Sequence, residues 1–336
     1  MLVAEMSAGG FPRAPWAMPD LGFGWDTPAW DAVRGIAESL WAAARACEPG
    51  IRSDSDPEYL HEYRVCLRKI RSLISQFGAI FERESFLRLR EGFAELAHGT
   101  NTLRDRDVEL AGRAGFLEIL PPDLRAAGEI WFCLLAQERA REQAVVAARL
   151  AGKEYHGMVD ELSTGLSQAK SATGDGWQPA GLLFARALRE RYKKLCKRAR
   201  TLRPPSPDQE IHRLRIQCKK LRYLLDFAAP LLGKARVKRT ARRLKNLQDG
   251  LGLITDCAVQ RARLTARLAS MKGSAPEVIP VVAAMADILE DRQCRERDRI
   301  SSLLKAMTSP RSRSDFQKIV RALLKKPKKP RDSRHP

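Results

Sequence analysis

The sequence lacks the features that mark exported, disulfide-stabilised or membrane-spanning proteins. Its seven cysteines are scattered and include no C-x-x-C pair, so neither a disulfide framework nor a zinc ribbon is indicated. No stretch of about 18 apolar residues runs without a charge, and the first residues lack the basic start and apolar core of a signal peptide. We therefore expect a cytoplasmic protein that is not embedded in a membrane.

Motifs of common catalytic sites are also missing. The chain contains no G-x-x-x-x-G-K-[ST] phosphate loop, no H-E-x-x-H zinc motif and no G-x-S-x-G nucleophile turn. Only five histidines occur, and arginines flank His61 and His212, which disfavours a cation at either one. We predict that the protein is not an enzyme and that it uses no cofactor and no metal.

Strand signals and aromatic residues are scarce, whereas amphipathic stretches rich in Ala, Leu, Arg, Glu and Lys recur along the chain. This pattern predicts an all-α fold of six helices followed by six. We expect helices near 28–47, 57–78, 84–99, 101–115, 122–150 and 153–170, then near 179–201, 208–228, 234–249, 251–271, 276–307 and 312–325. Residues 1–27 are expected to be a flexible arm, with a strap that packs its tryptophans as the alternative. Residues 171–178 are expected to be a linker and 327–336 a basic tail.

An internal repeat accounts for the six-and-six order. Sliding the sequence by 151 residues superimposes Pro28 on Pro179 and His61 on His212, and the register holds without a gap as far as Val108 and Val259. A constant register over about 80 residues is the mark of a duplicated structural unit. The repeats, 28–170 and 179–326, are therefore predicted to be two helical bundles related by a pseudo-twofold axis.

Positive charge is concentrated in the second copy. The net charge is +20, and residues 179–336 hold 40 of the 60 Lys+Arg but only 14 of the 40 Asp+Glu. The first half is therefore slightly acidic. A basic surface of this kind attracts anions without specifying which one.

A ladder of cationic groups occurs at the same place in both repeats. On each of two predicted helices, four groups at relative positions 0, 3, 7 and 10 share one face, opposite the apolar face. They are His61, Arg64, Arg68 and Arg71 in the first repeat and His212, Arg215, Lys219 and Arg222 in the second. Successive groups lie about 4.5–6 Å apart along a helix, a spacing that suits a chain of phosphates.

Neighbouring helices of the second repeat carry further basic faces. One comprises Arg186, Arg189, Lys193, Lys197 and Arg200, and another comprises Arg239, Arg242 and Arg243. A basic face on an amphipathic helix is usually just solvated. Like charges on adjacent helices repel, however, so stacking several such faces indicates a polyanion supplied from outside.

The H-x-x-R-[VI]-x-x-[RK]-[RK]-[IL]-R pattern, present twice and each time followed by an Asp-containing segment ending at Val108 or Val259, resembles the conserved-histidine α-helical domain (CHAD) family. The resemblance implies two four-helix bundles around a basic central groove that binds inorganic polyphosphate without catalysis, often at polyphosphate granules. The ligands that it implies are His61, Arg64, Arg68, Lys69, Arg71, His212, Arg215, Lys219, Lys220 and Arg222.

Some positions depart from the family pattern. Asn101 stands where a glycine is expected, whereas the second copy keeps Gly252. The second copy has Thr255 at the position of Arg104 and Ala258 at the position of Asp107. Asp105 and Asp256 are expected to be helix caps or salt-bridge partners. Because the first half is acidic, we expect binding to be weighted toward residues 179–245.

Two other functions stay open at the level of sequence. Counterion release would give the same basic surface affinity for RNA or DNA, so a nucleic-acid-binding helical module is the alternative. Its basic faces offer few aromatic groups for base stacking, with Tyr192 and Tyr223 the nearest candidates. A scaffold that docks a protein partner on acidic patches is the third reading. Oligomeric state and polyphosphate chain length are not determined by the sequence.

Overall fold

The protein is built almost entirely from α-helices, as the sequence predicts. The computed structural model describes residues 22–171, 173–270 and 276–326, and this part of the chain contains helices and short 3-10 turns but no extended strand. In the first half the helices are α1 (Ala29–Arg52), α2 (Pro57–Phe77), α3 (Arg83–His98), α4 (Asn101–Ala111), α5 (Arg113–Ile119), α6 (Arg125–Ala151) and α7 (Lys153–Gln168). In the second half they are α8 (Ala180–Thr201), α9 (Asp208–Phe227), α10 (Ala229–Leu232), α11 (Lys234–Ser270), α12 (Ile279–Thr308) and α13 (Pro310–Leu324).

Helix starts follow the sequence repeat. The first residues of α1, α2 and α3 are separated from those of α8, α9 and α11 by the same 151 residues that align the two copies. Proline sets several of these starts, because its missing N–H costs nothing in a first helical turn. In α2, Pro57 is the first helical residue, and the Asp56 carboxylate accepts a hydrogen bond from the Glu58 backbone N–H at 2.8 Å.

The two copies meet reciprocally where α1 and α8 begin. The Ala29 N–H donates to the Gln178 carbonyl at 2.9 Å, and the Ala180 N–H donates to the Thr27 carbonyl at 2.8 Å. The 151-residue shift converts the donor and acceptor of one bond into those of the other. A local twofold relation produces such paired bonds. Pseudo-twofold symmetry of the rest of the chain stays a prediction.

The division into helices differs from the sequence expectation in three places, one of which is the short helix α10, where none was expected. The single helix α11 replaces the two helices expected at 234–249 and 251–271, because Leu247, Leu251 and Ile254 continue one buried face where α12 packs along it. Conversely, the helix expected at 101–115 is divided at Gly112 into α4 and α5.

The end of the expected flexible arm is packed against the second repeat. Residues 1–21 lie outside the described part of the chain, but the Phe23 ring stacks on Phe184 with centroids 6.0 Å apart. The Trp25 indole N–H donates to the Leu323 carbonyl at 2.6 Å, and Asp26 forms an ion pair with Lys326 at 2.9 Å. Residues 22–27 are therefore a strap across α8 and α13 rather than part of an arm. The basic tail 327–336 lies outside the described residues.

Both repeats contribute to one continuous apolar core. The larger cluster of buried side chains includes Tyr63 and Ile70 of α2 together with Leu214 and Leu221 of α9. A second cluster joins α6 to α11 and α12 through Phe132, Leu264 and Met285, among others. The repeats are therefore packed against each other at two places. Among the described residues, no helix is long and apolar enough to cross a membrane.

Candidate polyanion-binding site

The two cationic ladders lie on α2 and α9, which pack against each other. Each helix buries its apolar side, including Leu67 and Ile70 on α2 and Cys218 and Leu221 on α9. The helices also touch through the Gln76 side-chain amide, which donates to the Lys220 carbonyl at 3.4 Å. Packing one helix on the other brings together ladders that are about 150 residues apart in the sequence.

Exposure differs along the ladders. The groups His61, Arg64, Arg68, Arg215, Lys219 and Arg222 are half-buried, whereas Arg71 and His212 are exposed. The two histidines, which occupy equivalent positions in the repeat, therefore have unlike surroundings.

Lys219 lies where the ladders meet. Burial, followed by the nearby charges of Arg215 and Arg68, lowers the pKa of its ammonium group from 10.5 to about 8. Arg68 belongs to the first repeat and Arg215 to the second, so both copies raise the positive potential at this lysine. The Asp256 carboxylate opposes the effect only partly.

His61 occupies a similar position at the start of the first ladder. Its pKa is lowered to about 4, first by burial and then by the charges of Arg104, Arg68 and Arg64. Arg104 is a half-buried residue of α4 whose own pKa is lowered, mainly by burial. Arg104 was not among the site residues expected from the sequence, where its only noted feature was the mismatch with Thr255. No spacing rule could have found Arg104, because it lies on another helix.

Several nitrogens of the ladders are buried without a hydrogen-bond partner. Among the described residues these include His61 Nδ1 and the Nε atoms of Arg64, Arg68, Arg215 and Arg222. All five atoms are on α2 or α9. Buried polar groups normally have partners, so a cluster of unpartnered nitrogens at cationic side chains favours an anionic ligand.

Arg64 and Arg215 also hold the surrounding helices in place. Arg64 Nη1 donates to the Ala97 carbonyl and to Thr100 Oγ1, both at 2.7 Å, at the junction of α3 and α4. Arg215 Nη1 donates to Thr255 Oγ1 at 2.8 Å and to Asp256 Oδ1 at 2.9 Å. Asp256 is therefore a salt-bridge partner, one of its two predicted roles. These two arginines are anchored in a way that Arg68 and Arg222 are not.

A family model for the CHAD domain matches residues 35–265, which is most of the chain and includes both ladders. The chain belongs to the CHAD domain family. Its structure is similar to a crystal structure of the CHAD domain from the plant Ricinus communis, with a TM-score of 0.73, 21% identity, and coverage of 88% of this chain and 98% of that one. It is also similar to PptA from Streptomyces chartreusis, with a TM-score of 0.66, 13% identity, and coverage of 83% and 100%. At these identities the likeness shows the fold alone.

The curated relatives are uncharacterized proteins. The proteins MT2285 and Rv2226, from two strains of Mycobacterium tuberculosis, are each 27% identical to this chain over 270 residues. The match covers 78% of this chain and 48% of each relative. This CHAD chain therefore spans about half the length of the curated relatives it matches.

Lys69 and Lys220 point to different neighbours in this CHAD domain. Lys69 lies near the carboxyl group of Asp226 on α9. Burial raises the pKa of Asp226, and the charges of Lys69 and Arg222 act in the opposite direction. Lys220 lies near Arg191 and Lys194 of α8, and its pKa is lowered first by burial and then by those two charges. Neither Arg191 nor Lys194 was among the predicted site residues.

The other predicted basic faces lie away from α2. Arg189, Lys193 and Lys197 line a cavity between α8 and α13, and Arg186 pairs with Asp175 at 3.4 Å. Arg239 and Arg243 face Asp315 of α13, at 3.7 and 2.7 Å, while Arg242 is exposed. The structure thus brings the two ladders together but directs the basic faces of α8 and α11 toward α13.

One group of side chains has the spacing of a metal site. Potential ligand atoms of Glu58, His61 and Glu62 lie within 4.8 Å of one another in the first turns of α2. The charges of Arg64, Arg68 and Arg104, which already lower the His61 pKa, would repel a cation at the histidine. These three arginines act against the two carboxylates of Glu58 and Glu62, so the local charge is only slightly positive.

Proposed function

We propose that the protein binds inorganic polyphosphate in the groove lined by the ladders of α2 and α9, without catalysing a reaction. The observation that carries the proposal is the set of five buried, unpartnered nitrogens of His61 and four arginines on these two helices. Phosphate oxygens accept hydrogen bonds from guanidinium groups strongly and often bidentately. Within each ladder the cationic groups follow one another at about 4.5–6 Å along the helix axis, so one linear polyanion could contact both ladders.

The charge balance of the site supports the same ligand class. Arg68, Arg215 and Arg222 all disfavour the charged form of Lys219, and only Asp256 opposes them. Like charges held this close repel one another, so a bound polyanion removes a repulsion that is present in the free protein. The membership of the CHAD family and its implied polyphosphate chemistry point the same way. A cytoplasmic location at polyphosphate granules is part of this proposal.

RNA is the weaker candidate because base recognition needs exposed aromatic or amide groups. The two aromatic residues nearest to the basic faces, Tyr192 and Tyr223, are only 7% and 4% exposed. Neither ring can act as a stacking platform. Binding of RNA is then expected to depend on its phosphates alone and to be weaker than binding of polyphosphate at equal phosphate concentration.

The test uses two ladder arginines that take part in no ion pair of the described residues. Among the described residues, Arg68 and Arg222 form no ion pair, whereas removing Arg215 would strand Asp256. We would titrate the full chain and R68Q/R222Q with long-chain polyphosphate and with RNA at fixed salt. A matched control, R295Q/K305Q, removes two charges from exposed positions on α12.

We expect R68Q/R222Q to weaken polyphosphate binding about 100-fold, since each charged hydrogen-bond donor contributes on the order of 1.5 kcal/mol. The dependence of affinity on salt should also fall by about one phosphate contact per arginine. The control should change affinity by less than about threefold. Equal losses in the two double variants would mean that net charge alone drives binding. Tighter binding of RNA than of polyphosphate would overturn the ligand assignment.

A further inference from the structure

A cavity of about 680 Å³ lies between α8 and α13, on the side of α8 that faces away from α9. Its floor is apolar and contains Tyr192, Cys196, Phe316 and Val320. The Tyr192 and Phe316 rings are stacked with centroids 4.0 Å apart and planes inclined by 8°, so the floor is well packed. Cavities of this size commonly accommodate small organic ligands.

Cationic side chains surround this apolar floor. Six of the residues lining the cavity are basic and none is acidic; the basic ones are Arg189, Lys193, Lys197, Arg200, Arg313 and Arg321. Within the described part of the chain, none of the six forms an ion pair. Like charges gathered around one opening repel each other, and a negatively charged ligand would relieve that repulsion.

The cavity is separate from the groove between α2 and α9. Residues of α8 divide between the two sites, because Arg191 and Lys194 lie near Lys220 of α9 whereas Lys193 and Lys197 line the cavity. No residue of α2, α9 or α11 lines the cavity. Helical periodicity cannot distinguish these two basic sides of α8, and the polyanion surface expected from the sequence included Arg189, Lys193 and Lys197.

We infer that this cavity binds an anionic amphiphile, with a single acyl chain on the apolar floor and a phosphate-ester headgroup at the basic rim. The long stems of Lys193 and Lys197 can cover the chain while their ammonium groups reach the headgroup. Leu324, which is 47% exposed, extends the apolar surface to the mouth of the cavity. From the floor to the rim the lining thus changes from apolar to cationic, which matches the acyl chain and the headgroup of such a ligand.

Other small anions fit this lining less well. Thr201 and Gln317 are the only uncharged hydrogen-bonding side chains on the rim, too few to recognise the edges of a nucleotide base or a sugar. A free inorganic anion would leave the apolar floor uncovered. An uncharged lipid would leave six cations without a counter-charge. Only a ligand with an apolar chain and an anionic group can cover the apolar floor and also neutralise the basic rim.

The probe is oleoyl lysophosphatidate, used below its micellar concentration with the full chain and measured by calorimetry. Oleoyl lysophosphatidylcholine has the same chain with a headgroup of no net charge, and glycerol phosphate has the anionic group without the chain. We expect both comparators to bind at least tenfold more weakly than the lysophosphatidate. Equal binding of either comparator would overturn the inference, since one part of the lining would then be irrelevant.

Variants test the location. The pair K193E/K197E should weaken lysophosphatidate binding at least tenfold, whereas R295E/K305E, the same charge change on exposed positions of α12, should not. Separately, L324D should weaken binding at a partly exposed position where folding is not at risk. Circular dichroism would verify that each variant keeps the helix content of the parent chain.

This inference does not depend on the polyphosphate proposal. The groove variant R68Q/R222Q should bind lysophosphatidate as the parent chain does, even if it binds polyphosphate weakly or if the parent does not bind polyphosphate at all. Competition between long-chain polyphosphate and lysophosphatidate in R68Q/R222Q, whose cavity is unchanged, would overturn the inference. The cavity would then be an extension of the polyanion surface.

Discussion

Lys219 should couple polyphosphate binding to proton uptake. In the free protein its pKa is about 8, lowered from an ordinary value of 10.5 by burial and then by Arg215 and Arg68. A polyanion bound beside the ammonium group reverses the local field and raises the pKa again. The bound state therefore holds a proton that the free state loses as the pH rises above about 8.

The size of the effect follows from these two pKa values. If the bound polyanion restores 10.5, binding takes up about 0.9 proton at pH 9 but only about 0.1 at pH 7. Affinity should fall about tenfold, or about 1.4 kcal/mol, between pH 7 and pH 9. Because the Lys219 pKa is lowered in the free protein, binding is strongest at a pH at which the free lysine is already charged, and it weakens as the pH rises.

The assay is calorimetry at pH 7 and pH 9 in pairs of buffers that differ in ionisation enthalpy, which measures proton uptake directly. Long polyphosphate chains keep the contribution of titrating end groups small. The variant K219Q should lose both the proton uptake and the pH dependence. The variant K219R keeps a charge that does not titrate in this range, so it should bind at pH 9 as tightly as at pH 7.

Binding without proton uptake at pH 9 would refute this reasoning. The same conclusion would follow if K219Q took up as many protons as the parent chain, because another group would then be responsible. Lys220 is the alternative source, since its pKa is also lowered by burial and by Arg191 and Lys194. The variant K220Q identifies that case.

Three further outcomes are expected. The buried carboxyl group of Asp226 lies near Lys69 and Arg222, so D226N should tighten polyphosphate binding several-fold in the same titration. The control D298N, at an exposed position of α12, should not. Weaker binding in D226N would contradict the idea that the Asp226 carboxylate competes with the ligand for these cations. Because the His61 pKa is about 4, the ring is neutral at pH 7 and offers one N–H donor, which the amide of H61Q can replace. H61Q should therefore leave affinity at pH 7 nearly unchanged and should flatten the gain expected as pH falls from 6 toward 4; a large loss at pH 7 would mean that the ring is charged in the complex. Replacing Arg215, Lys219 and Arg222 together by glutamine should cost more affinity than replacing Lys325, Lys326, Lys328 and Lys329, since the packed groups are already ordered; equal losses would mean that ordering contributes nothing.

The repeat was the most informative feature of the sequence. It predicted the shared starts of α1 and α8, each preceded by a proline, and of α2 and α9, where the apolar spacing is duplicated although Pro57 aligns with Asp208. It could not predict that Gly99 ends a helix while Gly250 lies inside one. That difference depends on tertiary contacts: a Cβ atom at Gly99 would lie 1.9 Å from the Arg149 guanidinium, whereas Gly250 lies against α12.

The site was predictable only along each helix. Helical spacing placed Arg64 with Arg68 and Arg215 with Lys219, because one helix determines which of its own residues share a face. Which basic face meets which neighbour is decided by packing between helices. For that reason the sequence could not separate the α13 side of α8, with Lys193, from its α9 side, with Arg191.

Net charge of a repeat is a poor guide to the charge of its binding surface. The first half of the chain is acidic overall, and its acids are largely used within the fold: Asp54 and Asp107 pair with Arg139, and Glu138 pairs with Arg106. None of these carboxylates acts on His61 in the ladder on α2, whereas the charges of Arg104, Arg68 and Arg64 do. Because Arg68 also acts on Lys219 from across the repeat boundary, the potential at the centre of the groove comes from both copies. A ligand held at Lys219 would therefore interact with the acidic repeat as well as with the basic one, and the weighting of binding toward 179–245 stays a prediction.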